Sequence, residues 1–172
     1  RPDIDDERVG LVGLSQGGWI APVAAARADV AFVVDVAGAS VSFAEQTFHE
    51  MANTTRRAGF GEDAVAGVPE LNRAAGHYLV SDDWEAYRGA RERGMRTSWG
   101  EIAAGFPGER EATIWTFLRK VFRFDPAPYW LQVSEPVFVV YGAEDERDNV
   151  PVAESVRRLE FAFDRRTLHH GL

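Results

Sequence analysis

Val9-Gly-Leu-Val-Gly-Leu-Ser-Gln-Gly-Gly18 is the stretch whose reading decides the fold. Residues 8–14, Arg-Val-Gly-Leu-Val-Gly-Leu, form a short apolar run with charge upstream and glycine downstream, which predicts a buried strand. Residues 16–28 place Ile20, Val23, Ala24 and Arg27 at helical spacing, which predicts a helix. Ser15 falls between the two. Gly13-Leu14-Ser15-Gln16-Gly17 is a G-x-S-x-G sequence, of which roughly 0.06 copies are expected by chance in a chain of this composition. A sharp strand-to-helix turn at Ser15 holds the backbone in a strained conformation and exposes the hydroxyl. Gly13 and Gly17 are read as the positions where a Cβ would collide across that turn. The helix starts directly after Ser15, so its free N–H groups and dipole face the hydroxyl, and the Gln16 N–H becomes an oxyanion donor. The bland alternative is an ordinary serine on a glycine-rich turn. A dinucleotide fingerprint is a poor fit, because Gly10, Gly13, Gly17 and Gly18 do not follow G-x-G-x-x-G.

Working outward, residues 30–37 and 136–142 repeat the strand pattern. Residues 151–163 place Val152, Val156, Leu159 and Phe163 on one helix face, with Pro151 at the favoured first position. A last short strand is expected near Arg166–Leu168. Apolar strands alternating with helices predict an α/β protein with a parallel sheet. The stretch 43–130 lacks strands and reads as a helical insertion, with helices near 43–58, 62–79, 82–93 and 110–122. Pro69 is expected to kink or split the second of these. The sheet domain is therefore assigned to 1–42 and 131–172, and the insertion to 43–130.

With 172 residues, 45% hydrophobic and 27% charged, the chain has the composition of a globular domain with a sizeable core. Its net charge of −8 argues against nucleic acid or an anionic membrane as partner. No apolar run approaches a membrane span. The absence of cysteine excludes a disulfide frame, a thiolate metal site and a cysteine nucleophile, and leaves the compartment open. Lys120 stands alone among 19 basic residues, which reads as the codon bias of a GC-rich, bacterial genome.

Val9–Gly18 resembles the nucleophile elbow of α/β-hydrolases, and within them lid-bearing bacterial serine esterases and prolyl-oligopeptidase-like hydrolases. Pro136-Val-Phe-Val-Val-Tyr-Gly-Ala-Glu-Asp145, followed by Val150-Pro151, resembles the strand and loop that deliver the catalytic acid. His170-Gly-Leu172 resembles the loop with the catalytic histidine. The resemblance implies a triad of Ser15, Asp145 and His170, in the chain order of that fold. It also implies that 43–130 is a helical lid. Only one strand precedes Ser15, so the chain looks like the C-terminal portion of such an enzyme, with N-terminal strands and a second oxyanion donor upstream of Arg1.

The residue types make chemical sense by themselves. A serine hydroxyl needs a base titrating near neutrality, and the base needs a carboxylate to fix its tautomer. Asp148 is the alternative acid and His169 the alternative base, with Glu144 and Glu146 read as solvated. Asp35, inside a core strand, reads as a hydrogen-bonded structural residue. His49 and His77 read as surface or packing histidines, and Asp3, Asp5, Asp6 and Glu7 as an acidic linker and not a calcium loop. Trp84, Trp99, Trp115 and Trp130 read mainly as core of the insertion or its contact with the sheet domain, with one or two as candidate walls of an acyl pocket.

These residues lead to an expected function: hydrolysis of a small carboxylic ester through an acyl-enzyme, with no cofactor and no metal. A peptidase or thioesterase of the same fold is the first alternative. A non-catalytic domain acting as a binding module is the second. The edge strand Val9–Leu14 is expected either to pair with a second copy, giving a homodimer, or to lie beneath the insertion's helices.

Overall fold

The computed structural model describes residues 5–169. They form a mixed α/β structure with a small parallel sheet. β1 (Leu11–Leu14), β2 (Val33–Val36) and β3 (Val137–Val140) lie in the order β1-β2-β3. Leu11 pairs with Val33 and Val33 with Val137; Leu14 pairs with Val36 and Val36 with Val140. The three carboxyl ends therefore finish level, at one edge of the sheet.

The chain divides into two compact units. One holds the chain up to Ser42, Asp125–Glu146 and the chain from Val150 on; the other holds Phe43–Phe124 and Arg147–Asn149. Residues 125–130 belong to the sheet unit, although the sequence pattern assigns them to the insertion. The reason is packing. Short α7 (Ala127–Trp130) buries Trp130 in the same core as Val33, Val133, Leu159 and Ala162. Trp130 also meets the Phe163 ring edge-on at 6.3 Å.

In the sheet unit, α1 (Gln16–Ala25) and α8 (Val152–His169) supply this core with Ala21, Ala25, Leu159 and Ala162. No strand forms at 166–168. Helix α8 runs on instead, because no glycine or proline interrupts the chain between Pro151 and Gly171. One sheet face, carrying Leu11, Val33, Val137 and Val139, packs on these helices. The opposite face carries Val12, Leu14 and Phe138, exposed at 72%, 67% and 65%, together with Val140.

The second unit is built on α3 (Glu62–Ser81), with α2 (Phe43–Arg57), α4 (Trp84–Gly94), α5 (Gly100–Gly105) and α6 (Thr113–Val121). Helix α3 passes unbroken through Pro69, which is buried. Val68, Leu71, Ala75, Tyr78, Tyr87, Trp99 and Trp115 form its core. The Tyr87 ring stacks near that of Tyr78 at 5.9 Å and meets that of Trp115 at 5.1 Å. Trp99 and Trp115 are thus core residues of this unit, and Trp84 packs against them.

Candidate active site

Ser15 is the residue between β1 and α1. Its backbone has φ 53° and ψ −116°, a conformation that non-glycine residues rarely adopt. Two backbone bonds hold it there: the Ser15 N–H donates to Val36 O at 2.8 Å, and the Gly18 N–H donates to Ser15 O at 2.8 Å. The Ser15 hydroxyl does not cap α1, and the residue is exposed. Gln16 is the first residue of α1, so its N–H has no partner within the helix and lies beside the serine.

Gly13 is required by space, since a Cβ there would collide with the Gly17 carbonyl. At Gly17 itself a Cβ would meet nothing within 4 Å among the described residues, so they supply no steric reason for glycine at that position. The tight position is Gly18, where a Cβ would strike the Asp35 carboxylate.

Asp145 opens the short 3-10 turn Asp145–Arg147 beyond β3. Its Oδ2 accepts the Gly142 N–H at 2.7 Å, and the Val150 N–H returns to its carbonyl at 3.1 Å. This closes the loop and fixes the carboxylate. Ser15 follows β1 and Asp145 lies in the loop after β3, and these strands end level, so both segments leave the sheet at its carboxyl edge. Asp148, the alternative acid, has its carboxylate ion-paired with Arg57. Glu146 is not merely solvated, because its Oε2 accepts the Ala153 N–H at 2.7 Å in the first turn of α8. His170 lies outside the described residues, as does the side chain of His169.

Asp35 is fully buried on the helix-facing side of β2, in register with Gly13 and Val139. The sequence reading expects it to be hydrogen-bonded, yet neither carboxylate oxygen has a bond of ordinary geometry. Burial pushes its pKa up from 3.8 to about 6, and the Gly38 backbone N–H offsets this only in part. Nothing in the sequence marks it out beyond an acid within an apolar run.

Elsewhere, His49 Nε2 lies 3.0 Å from Asn53 Nδ2, and His77 Nδ1 lies 3.2 Å from Ser81 Oγ, each one helical turn away. Among the described residues, no three acidic or histidine side chains are gathered as a metal ligand set. No helix of the described residues is long and apolar enough to cross a membrane. In the helical unit, a cavity of about 540 Å³ is lined by Phe48, Arg73, Gly76, His77, Val80 and Phe122, and by neither Ser15 nor Asp145. No family model, curated protein or solved structure matches this chain.

Proposed function

We propose that this chain carries the nucleophile of an α/β-hydrolase that cleaves carboxylic esters through an acyl-enzyme. The observation that carries the reading is the backbone of Ser15: exposed, at positive φ, between a parallel strand and the first turn of a helix. Ser15 Oγ attacks the ester carbonyl carbon while His170 takes its proton. The carbonyl oxygen gains the electron pair and is held by the Gln16 N–H. His170 then gives the proton to the leaving alcohol, and water repeats the sequence to free the acid. Asp145 orients His170 and stabilises its cation; the loop bond from Gly142 holds the carboxylate for that role.

The test is pre-steady-state hydrolysis of a chromogenic ester such as p-nitrophenyl butyrate. A burst of nitrophenol equal to the enzyme present, lost in Ser15→Ala, supports an acyl-enzyme. Turnover that survives Ser15→Ala sinks the reading.

A second reading, a non-catalytic binding domain, draws on the apolar face of Val12, Leu14 and Phe138, because parallel sheets are ordinarily covered on both sides. An absent burst in a folded protein favours it.

A further inference from the structure

Asp35 is the buried ionisable group that the proposed chemistry does not use. Its surroundings tie it to both sides of the candidate site. Its Oδ1 lies so close to Gly18 and Gly38 that a Cβ at either position would overlap it. Gly18 belongs to the first turn of α1 and donates to Ser15 O. Gly38 accepts the Tyr141 hydroxyl at 3.0 Å, and Tyr141 follows β3 on the way to Asp145. Between them, Val36 O accepts the Ser15 N–H, while the Ala37 N–H donates to Val140 O at 2.8 Å. Ala37 itself has φ 54°. The carboxyl group thus touches two glycines, one bonded to Ser15 and the other following Ala37, the two residues held at positive φ.

We propose that Asp35 is a positioning residue for the Ser15 turn: as a neutral acid it is the wedge between Gly18 and Gly38, and its ionisation loosens the turn. The value of this for catalysis rests on the hydrolase reading above. The neutral group fills its site without needing a cation. The ionised group places an unpaired charge against two glycine backbones, and the chain must move to admit water or donors.

The groups that face Asp35 leave its own proton as the one that matters near neutrality. From α1 it meets Gly18, which is not ionisable, and from the loop after β2 it meets Gly38. Beyond β3 it acts on Tyr141, whose pKa is pushed up to about 12 by burial, with smaller contributions from Asp35 and Asp145. Tyr141 is therefore neutral throughout the working range. The Ser40 and Ser155 hydroxyls beside Tyr141 do not titrate there. Among the described residues, no charged side chain is a cause of the Asp35 shift.

The experiment is an NMR titration of the full chain, following the Asp35 carboxyl carbon and the Ser15 and Gly18 amides. The expected result is one shared midpoint near 6, with hydrogen-exchange protection of those two amides falling about tenfold or more from pH 5 to pH 8. In Asp35→Asn the protection should not vary with pH. Fluorophosphonate labelling of Asp35→Asn should match the parent at pH 5 and exceed it about tenfold at pH 8. An Asp35 that titrates in the ordinary carboxylate range overturns the proposal. So do Ser15 and Gly18 amides that ignore its titration. The wild-type titration decides the matter even where Asp35→Asn fails to fold. If the amides follow Asp35 but Ser15 is never labelled, the hydrolase reading fails and the coupling stands. If Ser15 is labelled at a rate blind to Asp35, the reverse holds.

Discussion

The Ser15 N–H donates to the Val36 carbonyl at 2.8 Å, which pins the serine turn to the end of β2. The bond continues the β1–β2 ladder one residue past Leu14 and Val36. It fixes the backbone of Ser15 at φ 53° without using the side chain. A turn built in this way keeps the hydroxyl exposed and spends conformational energy to do so.

That strain predicts a trade between stability and function. Ser15→Gly should raise stability by about 1 kcal/mol, because glycine adopts positive φ freely, and should abolish any serine-dependent activity. Urea unfolding of the two proteins measures the first effect. A destabilised Ser15→Gly would show that the backbone at this position is not strained.

Glycines 13, 17 and 18 should behave differently. Gly13→Ala and Gly18→Ala each force a Cβ into occupied space and should cost about 1–3 kcal/mol. Gly17→Ala enters open space within α1 and should be neutral or stabilise by up to about 1 kcal/mol. Denaturation midpoints of the three variants separate these outcomes.

Asp35 should make stability fall as pH rises. Its folded-state pKa of about 6 lies above 3.8, so between those values the folded state binds more protons than the unfolded state. Below pH 3.8 the group is protonated in both states and costs nothing; the penalty grows from there up to pH 6 and is complete above it, reaching about 3 kcal/mol. Comparing the stability of the parent and Asp35→Asn at pH 4 and pH 8 isolates this contribution. The gap should shift in favour of Asp35→Asn at the higher pH.

In the helical unit, Tyr87 is fully buried and its hydroxyl donates to Pro107 O at 2.7 Å. Tyr87→Phe should cost about 1 kcal/mol by leaving that carbonyl unpaired. Trp115→Ala should cost about 3–5 kcal/mol, because the rings of Tyr78, Trp84 and Tyr87 all pack on it. Thermal melts followed by tryptophan fluorescence read both changes.

The strands were legible because each is a short apolar run closed by glycine or charge, and the serine turn because its glycines and serine fall between such a run and a helical pattern. Other features depended on contacts that no local pattern carries. Helix α5 spans Gly-Glu-Ile-Ala-Ala-Gly, too short to show a period. Pro69 sits within α3, where buried neighbours override the propensity of one residue to break a helix. Helix α8 continues past Phe163, where the few residues Arg166–Leu168 suggest a strand by pattern but no stop signal ends the helix. The steric role given to Gly17 belongs to Gly18, one place on, because only the fold brings Asp35 against it. The lack of any bond of ordinary geometry at the Asp35 carboxylate is likewise a property of the packed core, invisible in the sequence.

The reaction of Ser15 with a fluorophosphonate tests the central claim most directly. The probe needs an activated serine, a base and an oxyanion donor together, and it leaves a mass tag on the residue that attacked. The account predicts one tag per chain, mapped to the peptide containing Ser15. Labelling should fall by several powers of ten in both Ser15→Ala and His170→Ala, with the double variant scarcely worse than either. A folded chain that takes no tag, or takes it at another serine, contradicts the account.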